Sequence, residues 1–279
     1  MKYIYLLLLS VVIISCDQID AIDIEVTEAV VVHGYLYADS AIDSIRVTKA
    51  IPYIEDSELE PLDGLSIVIS ADEEEILLES IGNGYYRNLD HIVQQETSYS
   101  LYFEYSGKVI SSQTYIKSSV DVSLSRTEVD IQKVEVQAGG GPGGGGGPGS
   151  QMNDEVVDIL WNNDNSDYYF VVIQNIEEDP EYVNAFFQNL TDDDDRPERV
   201  FRTEPEIMDV YSINSRGELQ TYGTYEIIVY RLNTEYAALY NSVGSSTLSI
   251  AEPPTNIENA LGIFTGVTAH TVYLEVNES

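Results

Sequence analysis

Three histidines, His33, His91 and His270, and one cysteine, Cys16, are the first side chains to weigh as bases, nucleophiles or metal ligands. No histidine completes an HExxH pattern or a metal-ligand pair with another His or Cys. Two of them, His33 and His270, fall inside predicted strands, where a structural role is expected. A serine nucleophile would need a sharp elbow with a base and an acid beside it, and no GxSxG occurs. Carboxylates pose the opposite problem: among 48 Asp and Glu, any fold brings some pairs within the ~5–10 Å used by glycosidases. Abundance therefore carries no information, and no enzyme is expected. Two acidic loops, NNDNSD at 162–167 and DDDD at 192–195, hold the hard oxygen donors that Ca²⁺ prefers. Asp164, Asp167, Asp192 and Asp194 are the candidate ligands. Neither loop has the glycine and distal glutamate of an EF-hand, so both read first as solvated turns, with no cofactor and Ca²⁺ as the alternative.

Cys16 is different, because its surroundings specify a use. The opening MKYIYLLLLSVVIISC has a lysine at position 2 and an apolar run from Ile4 to Ile14 broken only by Ser10. That run falls short of the ~20 residues of a membrane-spanning helix. It fits a secretory signal peptide. Ile13-Ile14-Ser15-Cys16 resembles the bacterial lipobox, and the resemblance implies that Cys16 becomes the first mature residue and carries lipid. Only a thiol can take the diacylglyceryl group. At about 0.8 kcal/mol per buried CH₂, several acyl chains hold a protein on a bilayer where one would come off. Outer-membrane lipid is therefore the first expected partner. Asp17, Asp20, Asp23 and Glu25 behind Cys16 are similar to the surface-export signals of Bacteroidota lipoproteins, which implies a lipid-anchored outer-membrane protein facing the cell exterior.

Composition narrows the partners further. Thirteen Lys and Arg against 48 acids give a net charge of −35. Nucleic acid would be repelled rather than bound by counterion release. Hydrophobic residues at 43% are too many for a disordered chain and suffice for one large or two ordinary cores.

The elements that must position any site read as strands. In SYSLYFEYSGKVISSQTYI, Tyr99, Leu101, Phe103 and Tyr105 alternate onto one face, Ser106-Gly107-Lys108 turns, and the chain runs back. LSIVIS and EILLES flank the acidic turn at 71–74, and Gly82-Asn83-Gly84 turns into Tyr85 and Tyr86. Several short strands at this spacing predict a β-sandwich. AGGGPGGGGGPGS, at 138–150, cannot pack a core and lacks the Lys and Ser/Thr of a phosphate loop. It reads as a linker between two halves that pack together. Beyond it, VVDILW, YYFVVIQ, TYEIIVYRL and HTVYLEV are predicted strands. EIIVYRL is apolar on both faces, as expected of a strand between two layers. TEYAALYNSVG predicts one helix, started by Asn233 or Thr234 and stopped by Gly244, with Tyr236 and Tyr240 packing on the sheet. The 21 tyrosines suit sheets, and equally suit sugar or peptide contact at a surface. Sequence does not divide the two populations.

The expected fold is all-β, two packed sandwich halves of immunoglobulin or transthyretin type with one short helix in the C-terminal half. Its parts are a signal peptide at 1–15, a lipidated tether at 16–27, an N-terminal sandwich at 28–120, a linker at 121–153 and a C-terminal β-rich domain at 154–279. VVVHGYLYADSAIDSIRVTKAIPY, GNGYYRN with TSYSLYFEYSGK, and SIAEPPTNIENALGIFTG together resemble the DUF4249 family of Bacteroidota outer-membrane lipoproteins, over nearly all of the mature chain. The closing motif departs from the family at Ala260, where a glycine is expected. The resemblance implies an accessory or lid subunit, or a ligand-binding subunit, of a TonB-dependent transporter, whose receptor barrel would be the partner. Trp161, Asn256 and Phe264 are the expected contact residues. The alternative is a structural or adhesive surface module holding glycan, matrix or Ca²⁺ without a transporter.

Overall fold

The computed structural model describes residues 29–50, 59–72, 74–134, 156–188, 190, 198–244 and 254–279. The signal peptide, Cys16, the tether, the glycine-rich segment, Asp192 and Asp194 lie outside them.

The chain is all-β. Its first half holds β1 (Val30–Tyr37), β2 (Ala41–Lys49), β3 (Val68–Ala71), β4 (Glu74–Leu77), β5 (Glu79–Gly82), β6 (Tyr85–Ile92), β7 (Thr97–Tyr105) and β8 (Lys108–Ile116). The predicted alternation on β7 is there: Tyr99, Leu101 and Phe103 are buried. The turn after it places Ser106 and Gly107 at positive φ, 49° and 74°, the geometry of a tight hairpin whose twist matches its strands. The acidic hairpin is β3 paired with β4, and Gly82-Asn83-Gly84 has three consecutive positive φ values leading into β6.

The second half holds β9 (Ser123–Leu124), β10 (Glu128–Ile131), β11 (Val156–Leu160), β12 (Tyr168–Asn175), β13 (Val200–Arg202), β14 (Glu206–Ile207), β15 (Val210–Asn214), β16 (Gly223–Leu232) and β17 (Leu261–Glu278). Two single-turn helices, α1 (Ala185–Gln188) and α2 (Ser215–Glu218), interrupt it. The predicted helix is α3 (Thr234–Gly244). Asn233 precedes it with a backbone carbonyl that accepts from the Tyr236 amide at 3.2 Å. β9 and β10 fall in the stretch expected to be linker.

One ten-stranded sheet joins the halves: eight strands run in the order β13-β12-β16-β17-β1-β2-β6-β5, while β10 pairs with β17 and β14 with β12. The 18-residue β17 is its spine. Residues 261–267 run parallel to β1, and residues 267–276 run antiparallel to β16 on the other side. The sequence shows only the second stretch as a strand. The first, LGIFTGV, carries two glycines and looks like a turn.

Side-chain parity along β17 sets the layering. Phe264 belongs to one core, and Leu274 and Val276 to the other. All three are even-numbered in one strand, so both cores lie against the same face of the large sheet. The four-stranded sheet β4-β3-β7-β8 closes the first core, and the three-stranded sheet β15-β11-β9 closes the second. Among the described residues, the opposite face of the large sheet has no second sheet over it, and α3 covers it at one place.

Candidate functional site

Where the two sandwiches meet on the packed side, the chain is sealed by charge and hydrogen bonds. Asp167, just before β12, receives Lys117 Nζ at 2.5 Å, and Arg231 of β16 through Nε at 2.9 Å and Nη2 at 2.5 Å. Burial pushes this carboxyl up, but the hydrogen bonds and charges of Lys117 and Arg231 outweigh it and hold the pKa below the usual aspartate range. Lys117 also donates to the Leu232 carbonyl, and Arg231 Nη1 to that of Ser118. A second knot lies beside it. The Asn233 amide donates to Thr114 Oγ1 and the Tyr115 carbonyl, both 2.9 Å away, and Glu235 accepts from Thr114 and Thr265.

These contacts decide most of the expected site residues. Asp167 is occupied by two cations and is not available as a metal ligand. Asp164 is exposed and accepts from the Asn162 amide at 3.0 Å, as in a solvated turn. No cluster of three metal-ligating side chains forms among the described residues. Trp161 is only 7% exposed and donates its indole N–H to the Met208 carbonyl at 3.1 Å, so it belongs to the second core rather than to a contact surface. Phe264 is fully buried in the first core. Asn256 is tied to it: its Nδ2 donates to the Phe264 carbonyl at 2.7 Å and its Oδ1 accepts from the Phe264 amide at 3.0 Å. Its own carbonyl accepts from Ser112. The closing motif is therefore a latch, and its specificity is structural. His33 and His270 lie in β1 and β17, and His91 Nε2 sits 3.1 Å from the Tyr99 hydroxyl.

The unpaired face of the large sheet looks different. Register places Tyr168, Leu232, Val267 and Tyr37 in one row across β12, β16, β17 and β1. The next row holds Phe170 beside Tyr230, and the one after it Val172 beside Ile228, with Arg202 of the edge strand β13 opposite Val172. Helix α3 leans over this face. Tyr236 lies edge-on to Tyr35 at 6.0 Å and parallel to Phe170 at 6.3 Å, while Phe170 stacks on Tyr230 at 4.5 Å. A groove of about 320 Å³ remains between helix and sheet. Val172, Ile228 and Leu232 are among its apolar lining, Tyr37 and Tyr236 are aromatic lining, and Gln174 and Arg202 supply polar groups.

This arrangement can bind. Burial raises the pKa of Tyr37, Tyr230 and Tyr236 first, and neighbouring tyrosines or acids raise them further, while the Arg202 charge offsets part of the rise at Tyr230. Their hydroxyls therefore stay protonated and able to donate at neutral pH. Tyr37 remains 43% exposed. The apolar second face of EIIVYRL, expected to lie under another layer, is instead part of the groove floor. Tyr37, Phe170, Tyr230 and Arg202 were not singled out by the sequence. The signal available was a doubly apolar strand next to the alternating His33-Tyr35-Tyr37, once the large sheet is known to be covered on one side only.

The family model described as "Domain of unknown function (DUF4249)" matches residues 18–272. No curated protein matches the sequence.

Proposed function

The chain belongs to the DUF4249 family, and from that premise we propose that it is a lipid-anchored outer-membrane lipoprotein of Bacteroidota type, working by binding as an accessory or lid subunit of a TonB-dependent transporter. The open aromatic groove carries this reading. It is built from both halves on a rigid continuous sheet, with an apolar floor and a few convergent polar groups, as small-ligand sites are. The lipobox-like sequence at Cys16 supports the location, because a tether confines the groove near the membrane and raises its effective concentration at any partner there. The acidic surface suits a screened extracellular setting.

Affinity purification of the lipidated protein from native outer membrane in gentle detergent tests the partner. A large barrel receptor is expected to come with it, and Cys16→Ser is expected to leave the membrane fraction. Recovery of the lipidated protein alone would favour the second reading, a free-standing surface module that holds glycan in the same groove.

A further inference from the structure

Arg202 stands out once every described cation is placed. Lys117 and Arg231 share Asp167, Lys49 pairs with Glu60, Arg87 with Glu79, and Lys133 with Glu181. Arg199 donates to a backbone carbonyl, Arg46 lies over the Tyr85 ring, and Arg126 is engaged as well. Lys108 projects from the β7–β8 turn. Arg202 alone lines a concave site with its guanidinium free of ion pairs and hydrogen bonds among the described residues. The nearby acid on the same face, Glu226, accepts from Gln174 at 2.6 Å instead. A free planar guanidinium beside an apolar floor matches a carboxylate, which it can grip through two parallel hydrogen bonds.

The rest of the groove describes the body that carries that carboxylate. It offers ring surface, aliphatic floor and protonated tyrosine hydroxyls, the mixture that suits the apolar faces and hydroxyl rims of a sugar. A peptide added as a strand does not fit the groove floor, which lies on the face of β12, β16 and β17, whose main-chain groups are paired within the sheet; of the lining, only Arg202 comes from the edge strand β13. A volume of about 320 Å³ is at the small end of ligand sites and holds about two pyranose rings. The chain's overall negative charge does not oppose such a ligand at contact, since beyond ~8 Å it is screened at physiological ionic strength.

Resting on the reading of this groove as the ligand site, we propose that its ligand is a short acidic glycan, a uronate oligosaccharide held by its carboxylate on Arg202 and by ring contact with Tyr37.

The test is calorimetric titration of the full lipidated protein in detergent with a galacturonate trisaccharide and with its methyl ester, which keeps the rings and removes the charge. The acid is expected to bind at least about tenfold tighter than the ester. Arg202→Gln, at an exposed position, is expected to bring the acid down to the ester's affinity. Tyr37→Ala is expected to weaken both. Equal affinity for acid and ester, or an acid preference that survives Arg202→Gln, overturns the acidic-glycan assignment while leaving the groove as the site if Tyr37→Ala still weakens binding. Heat from neither sugar overturns the assignment too. The groove itself is judged separately, by whether a photo-reactive residue at Tyr37 labels anything in native membrane.

Discussion

The two faces of β17, near its start, sit among aromatic residues put to opposite purposes. At its start, Phe264 is buried, Asn256 satisfies its backbone on both sides, and Gly262 and Gly34 bring strands close enough to leave no room for a side chain. On its other face, Val267 lines the half-open groove with Tyr37, Tyr230 and Tyr236, and Arg202 lines the same groove from β13. Aromatic residues in the first region are consumed by packing. Those in the second keep hydroxyls and ring edges available. Aromatic content alone says nothing of function; what matters is whether the neighbours close over it.

Substitutions separate the regions. Phe264→Ala removes a fully buried ring and is expected to cost about 3–5 kcal/mol, read as a shifted midpoint in equilibrium urea unfolding. Gly262→Ala should follow at about 2–3 kcal/mol. Its φ is 98°, and an added Cβ would lie 2.1 Å from the Val32 carbonyl oxygen, which is backbone and cannot move aside. Asp167→Asn leaves Lys117 and Arg231 facing each other without their anion, with an expected loss of about 2 kcal/mol. Because the folded pKa of Asp167 is depressed, its contribution is fully present above the ordinary carboxylate pKa of about 3.9 and is lost as pH falls through the lower folded value. Melting temperatures of the natural protein and of Asp167→Asn should therefore converge on acidification below pH ~4. Divergence there would mean that the ion triad does not hold the halves. Smallest of all, Tyr37→Ala should change stability by about 0.5 kcal/mol or less, while weakening binding. A loss of stability as large as that of Phe264→Ala would place Tyr37 in the same closed class and erase the distinction.

Much of the framework was legible because it is local. Alternation exposed β7, and turn residues with positive φ marked the hairpin tips. The helix showed through its i, i+4 pairs and its terminal Gly244. The first stretch of β17 was hidden because its strand character comes from docking beside β1, a partner more than 200 residues away, while its own glycines argue for a turn. That one missed pairing also concealed which face of the large sheet stays open, and with it the groove. Asn256 and Phe264 stand in a motif that reads as a contact surface, whereas their burial and mutual hydrogen bonds form a latch; a rigid latch and a binding site can leave the same kind of mark on a sequence. Trp161, the single tryptophan of the chain, packs in the core against Tyr169 at 5.3 Å between ring centroids. Arg202 gave no local sign, because its significance lies in the groove that it lines with residues distant in sequence.

The most direct measurement is site-specific photo-cross-linking of the lipidated protein in its own membrane. A photo-reactive residue would replace Tyr37 in one variant and Tyr102 in another. Tyr102 is 45% exposed on the four-stranded sheet, so it samples a surface of similar accessibility away from the groove. Adducts are predicted at position 37 and not at 102, competed away by galacturonate trisaccharide. Equal labelling at both positions, or labelling at 102 alone, would contradict the assignment of the groove as the working face.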